Sequence, residues 1–273
     1  MTTKGHPAMF ENAAAVAQTQ FDNFDPEVFE SVLARVTKLP RPEISRMARR
    51  ERGILHENLP PPLATTIAEA LTAAGIAVAA VPASELPPAS KPRNALWIEP
   101  DETGFGVPLD HRQVLERIDW SGVFAIHAAM LRDPNAPVDK PKMTVREEAA
   151  TALAAPTKLV EKFPNVDVVA VSAAGKFVHF RIAQSRFAPA RMPWIAAEQP
   201  LLGRFYQLLE LLVARSTTAM ISPTARRMVH EKPDTTHKLA DHWNEEQDER
   251  RSAGYLRWLV WLAMHHERQA SEA

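Results

Sequence analysis

Clusters of proline divide this sequence and limit how far any helix or strand can run. The 23 prolines outnumber the 9 glycines, and the densest clusters fall at 60–62, 87–88 and 134–141. Proline has no backbone N–H and a fixed φ, so it fits connections and the first turn of a helix but not the interior of either element. We therefore expect folded segments between these clusters.

The rest of the composition is that of a globular protein. Hydrophobic residues make up 45% and charged residues 24%, so a sizeable core can form. The absence of cysteine excludes disulfides, thiol catalysis and cysteine-ligated metals. A net charge of −1 argues against a general nucleic-acid binder. Because neither a signal peptide nor an apolar run long enough to cross a bilayer is visible, we expect a cytoplasmic protein.

The first part of the chain predicts a mobile leader over 1–25, with a short helix at 11–20, and then a small α+β module over 26–86. Val32, Ala34 and Val36 alternate with polar residues, which is typical of a half-buried strand. The predicted elements of the module, in chain order, are a strand over 29–37, a helix that begins at Pro40, a helix that ends at Gly75 and a strand over 76–81.

The last helix and strand of this module have a distinctive pattern. Its residues are Pro62-Leu63-Ala64, then Ala68-Glu69-Ala70-Leu71, then Ala74-Gly75-Ile76-Ala77-Val78. The alanine-rich helix, the aliphatic spacing and the Ala-Gly pair before a strand resemble the C-terminal domain of the bacterial ribosomal stalk. That family binds proteins, so the resemblance implies a small α/β sandwich with a protein partner.

A linker over 87–93 leads into a β-rich region over 94–215. Turn residues at 101–104 and 173–175 predict two hairpins. In the second hairpin, Phe180 shares one face with its apolar neighbours, whereas His179 and Arg181 share the other.

The clearest helix is predicted over 198–215, where apolar residues recur with helical spacing at Leu201, Leu202, Phe205, Leu208, Leu209, Leu212 and Val213. Several strands followed by one amphipathic helix are similar, in element order, to pleckstrin-homology-like domains. That similarity implies a barrel closed by the helix. A helical extension over 216–273 follows, with a charged helix at 236–251 and a tryptophan-rich helix at 253–268. The expected fold class of the whole chain is α+β.

The search for catalytic motifs is negative. Gly104-Phe105-Gly106 lacks the third glycine of a dinucleotide-binding turn, and Gly175-Lys176 lacks the remaining residues of a phosphate loop. Neither a Gly-x-Ser-x-Gly nor a His-Glu-x-x-His sequence is present. We therefore assign no catalytic, cofactor-binding or metal-binding residue, and we expect no cofactor.

Histidines provide the main alternative, an enzyme of an unfamiliar type. His127 and His179 lie inside strand patterns, where a histidine is either a hydrogen-bonded structural residue or a base. His237, Asp241 and Glu245 follow one another at intervals of four, so on a helix they share a face. Such a face is either solvated or half of a metal site that needs another ligand.

Two patches are candidates for binding a partner. Arg46, Arg49 and Arg50 line one side of the predicted second element, where they either contact an acidic partner or form a solvated face. Trp258 and Trp261 belong to an aromatic patch in the last helix. Such a patch anchors a protein partner, lies in a membrane interface, or packs back against the strands.

These patterns favour a cytoplasmic, non-enzymatic adaptor that binds another protein and no nucleic acid. Two alternatives stay open. One is an enzyme that uses histidines of the β-rich or C-terminal region, and the other is peripheral membrane attachment through the helix at 253–268. The tryptophans Trp97, Trp120 and Trp194 are assigned to the core or the sheet surface.

Overall fold

Two β-sheets, one of three strands and one of seven, organise the chain in this computed structural model. The structure describes residues 13–21, 25–50, 53–88, 90–109, 114–132, 162–232 and 249–272. The larger sheet curls into a half-barrel, and the fold class is α+β, as the sequence predicted.

The small sheet is antiparallel and has β1 as its central strand, between β2 and β3. Its strands are β1 (Ala14–Gln18), β2 (Ile54–Leu59) and β3 (Val78–Pro82). Residues 14–18 form the strand β1, and every one of them is buried. The short helix predicted at 11–20, within the leader over 1–25, is therefore wrong where the structure describes it. A short run of alanine and valine has no period that separates a buried strand from a helix.

Three helices cover one face of this sheet: α1 (Pro26–Val36), α2 (Arg41–Arg50) and α3 (Pro61–Ala73). The strand predicted over 29–37 is therefore wrong. The Asp25 side chain caps α1 by accepting the backbone N–H of Glu27 at 2.8 Å, and Pro26 occupies the first turn. Phe29, Val32 and Leu33 then have helical spacing and are buried together.

The other two helices follow the sequence predictions. In α2 the apolar stripe of Ile44, Met47 and Ala48 is buried. In α3 the prolines at 60–62 stand at the start, and Gly75 follows its end with a φ of 84°. The resemblance to the ribosomal-stalk domain stays a prediction.

The large sheet has the strand order β4-β9-β8-β7-β6-β5, and β10 pairs in parallel with β7. Both predicted hairpins are confirmed, since β5 pairs with β6 and β8 pairs with β9. β4 takes its first residue from the end of the segment predicted as a linker over 87–93. The strands are β4 (Arg93–Ala95), β5 (Glu99–Pro100), β6 (Gly104–Pro108), β7 (Leu115–Arg132), β8 (Lys162–Ser172), β9 (Phe177–Ala183) and β10 (Met220–Ile221).

Two helices, α4 (Leu201–Arg215) and α5 (Pro223–Glu231), pack on one face of the large sheet. The helix predicted over 198–215 is thus confirmed, and its apolar stripe from Phe205 to Leu212 enters the core, whereas Leu201 at its start is exposed. The β-rich region was predicted to end at residue 215. β10 and α5 lie beyond that residue, yet β10 pairs with β7 and so belongs to the large sheet. The pleckstrin-homology-like barrel stays a prediction.

The last helix, α6 (Glu249–Glu272), lies between the two sheets. Its residues from Leu256 to Ala263, apart from Arg257, are buried. One side of α6 packs against Ala15 and Ala17 of β1, and another packs against Ala125 and Val169 of the large sheet. The order of layers is therefore α1–α3, small sheet, α6, large sheet and α4–α5.

The predicted tryptophan-rich helix at 253–268 is part of α6 and is confirmed. The charged helix predicted at 236–251 falls outside the described residues, except where α6 begins. In the described ranges, no helix has both the length and the apolar character needed to cross a membrane.

Trp258 fixes α6 to the small sheet. Its indole Nε1–H donates to the backbone carbonyl of Gln18 at 2.7 Å. Gly53 packs directly against the indole ring, so that a Cβ at this position would lie 2.5 Å from Trp258 Cγ. Gly53 also has a φ of 84°, which favours glycine. Two independent constraints therefore require glycine at residue 53.

We predict that Gly53→Ala destabilises the protein by about 3 kcal/mol or more, because the new methyl group displaces Trp258 as well as straining the backbone. The matched control is Gly75→Ala, which has the same φ of 84° but no atom within 4 Å of its added Cβ. The control measures backbone strain alone, about 1 kcal/mol. Urea unfolding of both variants gives the difference, and equal costs would contradict a rigid contact between Gly53 and Trp258.

Candidate functional site

A cluster of polar side chains lies on the face of the large sheet that α6 covers. It comprises His127 of β7, Asp167 of β8, and His179 and Arg181 of β9. The strand register places Asp167 opposite both His127 and Arg181. The predicted alternation is confirmed, because Phe180 enters the core on the opposite face.

Asp167 is the centre of this cluster. Arg181 donates to both carboxylate oxygens, from Nε at 2.9 Å and from Nη2 at 3.0 Å. His179 Nε2 lies 3.3 Å from the same carboxylate. Burial acts to raise the pKa of Asp167, but the hydrogen bond from His179 and the charge and hydrogen bond of Arg181 outweigh it and lower that pKa. Asp167 is therefore an ionised carboxylate whose charge is paired inside the protein.

His179 extends the cluster to the segment before β4. Its Nδ1 atom lies 2.9 Å from Ser90 Oγ and 3.1 Å from the Ser90 carbonyl oxygen. Ser90, His179 and Asp167 thus form a chain of hydroxyl, imidazole and carboxylate, which is the order of groups in a nucleophile–base–carboxylate triad. The crevice beside this chain runs between α6 and the sheet and has room for about 20 Å³, which holds about one water molecule.

His127 behaves differently from His179. Neither ring nitrogen has a hydrogen-bond partner among the residues that the structure describes. The ring packs against Tyr255 of α6, with centroids 5.1 Å apart. Burial lowers the pKa of His127 to about 4, with Arg181 acting in the same direction and Asp167 opposing both. His127 is therefore neutral near pH 7 and serves as a packing residue.

The two tryptophans predicted to anchor a partner are not at the surface. Trp258 is 2% and Trp261 is 1% exposed, because both lie on the part of α6 that is enclosed between the sheets. Of the alternatives for this aromatic patch, packing back against the strands is confirmed. The folded chain offers neither side chain to a protein partner or to a membrane.

The remaining predicted residues are only partly described. Arg46, Arg49 and Arg50 lie on α2, but their side chains are outside what the structure describes, so their role stays a prediction. His237 and the acidic residues at the same helical spacing, Asp241 and Glu245, lie in the segment 233–248, which is also outside the described residues.

An open groove lies on the other side of the molecule, between the loop 193–198 and α4. Its volume is about 710 Å³, and its lining includes Ile195 and Leu211. Trp194 forms part of the wall and is 38% exposed, so its assignment to the core or the sheet surface was wrong. The carboxylates of Glu198 and Glu210 also line the groove.

The loop that forms this groove is tied to α4 by hydrogen bonds. Gln207 Oε1 accepts the backbone N–H of Ala196 at 3.1 Å. Arg204 donates to the carbonyl oxygen of Gln199 at 2.7 Å and also to that of Ala197. These bonds hold the loop in place, so the groove exists before any ligand arrives.

Sequence reasoning singled out His127 and His179 but missed Asp167 and the groove, for identifiable reasons. Asp167 interrupts an apolar strand, and a charged residue there signals a buried partner whose identity depends on strand pairing. Trp194 stands between Pro193 and a further proline at 200, a loop pattern that places an aromatic residue outside regular structure. Only the fold shows that α4 supplies the opposite wall.

Comparison with known proteins found no matching family model, no matching curated protein and no matching solved structure. The two sites are therefore interpreted from their geometry. In the part of the chain that the structure describes, no group of three or more histidine, aspartate or glutamate side chains is arranged to hold a metal ion.

We predict that stability decreases between pH 6.5 and pH 4 because of His127. Its pKa is 6.5 when unfolded and about 4 when folded. Above pH 6.5 the His127 imidazole is neutral in both the folded and the unfolded protein. Between pH 6.5 and pH 4 it binds a proton in the unfolded protein only, so the free energy of unfolding falls. Below pH 4 it is protonated in both states, and the loss is complete. The full loss is about 3 kcal/mol.

Urea unfolding at successive pH values measures this loss. His127→Leu should flatten the profile in that window, whatever its effect at pH 7, whereas His230→Gln on the exposed surface of α5 should leave it unchanged. Asp167, whose pKa is lowered in the folded protein, adds to the loss only below about pH 5, so the slopes are compared between pH 6.5 and about pH 5. An unaltered slope in His127→Leu would show that other groups bind the proton.

Proposed function

We propose that the protein is a cytoplasmic, non-enzymatic protein-binding module and that the groove between the loop 193–198 and α4 is its partner site. The observation that carries this proposal is the combination of an open volume of about 710 Å³, a partly apolar lining and a tryptophan that is 38% exposed. Exposed tryptophans beside pockets are typical of residues that dominate binding energy.

The arrangement of layers supports a partner site on this side of the molecule. The aromatic patch of α6 is enclosed between the two sheets, and α6 covers the polar cluster. By contrast, the outer side of α4 faces solvent at Glu210 and Ala214. A loop that is already hydrogen-bonded to α4 loses little further conformational freedom when a partner binds.

The test is a photo-crosslinking residue, benzoylphenylalanine, introduced at Ala197 in the groove and, as a control, at the exposed Glu69 on α3. We expect a discrete covalent adduct in cells from residue 197 and none of the same mass from residue 69. Trp194→Ala in the same chain should reduce the yield of the adduct at least about tenfold, which is the loss expected for a central aromatic contact.

The thermal midpoint of Trp194→Ala should stay within a few degrees of the wild type, because the side chain is partly exposed in the folded protein. Identical adducts from residues 197 and 69, or an adduct that survives loss of the indole, would overturn the groove as the partner site.

A second candidate function is acyl transfer at Ser90. The observation that favours it is the chain of contacts from Ser90 Oγ to His179 Nδ1 and from His179 Nε2 to Asp167. Two features favour a structural role instead. Asp167 also carries the bidentate contact to Arg181, and the adjoining crevice holds about one water molecule rather than a substrate.

We predict that a fluorophosphonate probe does not label the wild-type protein above the level of Ser90→Ala. That variant should lose about 1 kcal/mol of stability, because it removes the hydrogen bond to His179. Labelling that requires Ser90 and disappears in His179→Gln would instead establish acyl-transfer chemistry and displace the binding-module proposal.

A further inference from the structure

We infer that the groove between the loop 193–198 and α4 recognises an arginine side chain within an aliphatic peptide segment. This inference rests on the proposed function and names the chemistry of the partner. It follows from the three kinds of surface that meet in the groove: an apolar floor, a partly exposed indole and two carboxylates.

The charged side chains that line the groove are Glu198 and Glu210. Glu198 lies on the exposed loop, and Glu210 lies on the outer side of α4. Two carboxylates beside an apolar surface complement a cation that is attached to apolar groups. A partner with acidic residues at the same place would be repelled.

Two cations near the groove, Arg204 and Lys232, are already engaged. The Arg204 guanidinium donates to two backbone carbonyl oxygens of the loop and so holds the loop on α4. Lys232, which follows α5, contacts Glu210 at 2.8 Å. Both members of that pair are about half exposed, at 51% and 50%. An exposed ion pair of this kind is weak, so a ligand can replace the lysine on Glu210.

Trp194 favours arginine over lysine as the ligand. A guanidinium group can stack on an indole while its N–H groups contact a carboxylate, whereas an ammonium is a compact, strongly hydrated charge. Glu198 follows Trp194 by four residues in the same loop, and both line the groove. The floor at Ile195 and Leu211 takes small aliphatic side chains on either side of the arginine.

The volume agrees with a ligand of this size. The groove is open to solvent and has a volume of about 710 Å³. An arginine with its immediate neighbours fits such a space, whereas a folded domain would have to contact the rim.

The experiment uses a fluorescein-labelled alanine–leucine peptide with one central arginine, titrated with the full-length protein while anisotropy is measured. Its analogues carry lysine, glutamine or glutamate in place of the arginine. We expect the glutamine analogue to bind about tenfold more weakly, with lysine intermediate and glutamate undetectable. Added salt should weaken the arginine peptide and leave the glutamine peptide nearly unchanged.

Variants of the protein test each contact. Glu198→Lys should weaken the arginine peptide more than about tenfold through charge reversal, and Trp194→Ala should do the same through loss of the indole. Lys232→Ala should strengthen binding about threefold by freeing Glu210. The matched control is Glu69→Lys, the same charge reversal on the exposed side of α3, which should have no effect.

Three outcomes would overturn the inference. If all the peptides bind equally and Trp194→Ala lowers their affinities to the same extent, the groove binds peptides through apolar contacts and does not discriminate by charge. If none binds while the adduct at residue 197 forms, the partner has other chemistry and the proposed function stands. If light scattering shows a dimer that Trp194→Ala dissociates, a second copy of the chain occupies the groove.

Discussion

The packing of Trp258 against Gly53 is the contact on which the arrangement of the layers depends. The indole fills the space left by a missing Cβ and donates to Gln18, and thereby fixes α6 on the small sheet. Arg257 adds an ion pair with Glu57 of β2 at 2.6 Å. Because the opposite side of α6 packs on the large sheet, the same helix joins both sheets into one body.

This arrangement explains why the polar residues beneath α6 form a closed set. A sheet face covered by a helix excludes water, so a carboxylate there needs partners within the protein. Asp167 has Arg181 and His179, and His127 stays neutral beside Tyr255. We therefore interpret the cluster as structural. We place partner binding at the open, partly apolar surface outside α4.

Local patterns predicted the elements whose signals are local. The stripe of α4, the hairpin turn at 101–104 and the alternation in β9 needed no distant partner, and all three are confirmed. The errors fall on segments that fit two periods. Val32, Ala34 and Val36 alternate as in a strand, whereas Phe29, Val32 and Leu33 have helical spacing, and the cap at Asp25 favours the helix. The alanine-rich β1 became a strand because two neighbours pair with it.

The sequence by itself determined the α+β class, the absence of cysteine chemistry and the apolar character of the C-terminal helix. Tertiary structure decided which side of each element is covered. Burial of Trp258 and Trp261 depends on two sheets that meet around α6, and exposure of Trp194 depends on a loop that hydrogen bonds fix to α4. A side chain's type sets its preference for water, but its neighbours from distant parts of the chain decide whether water reaches it.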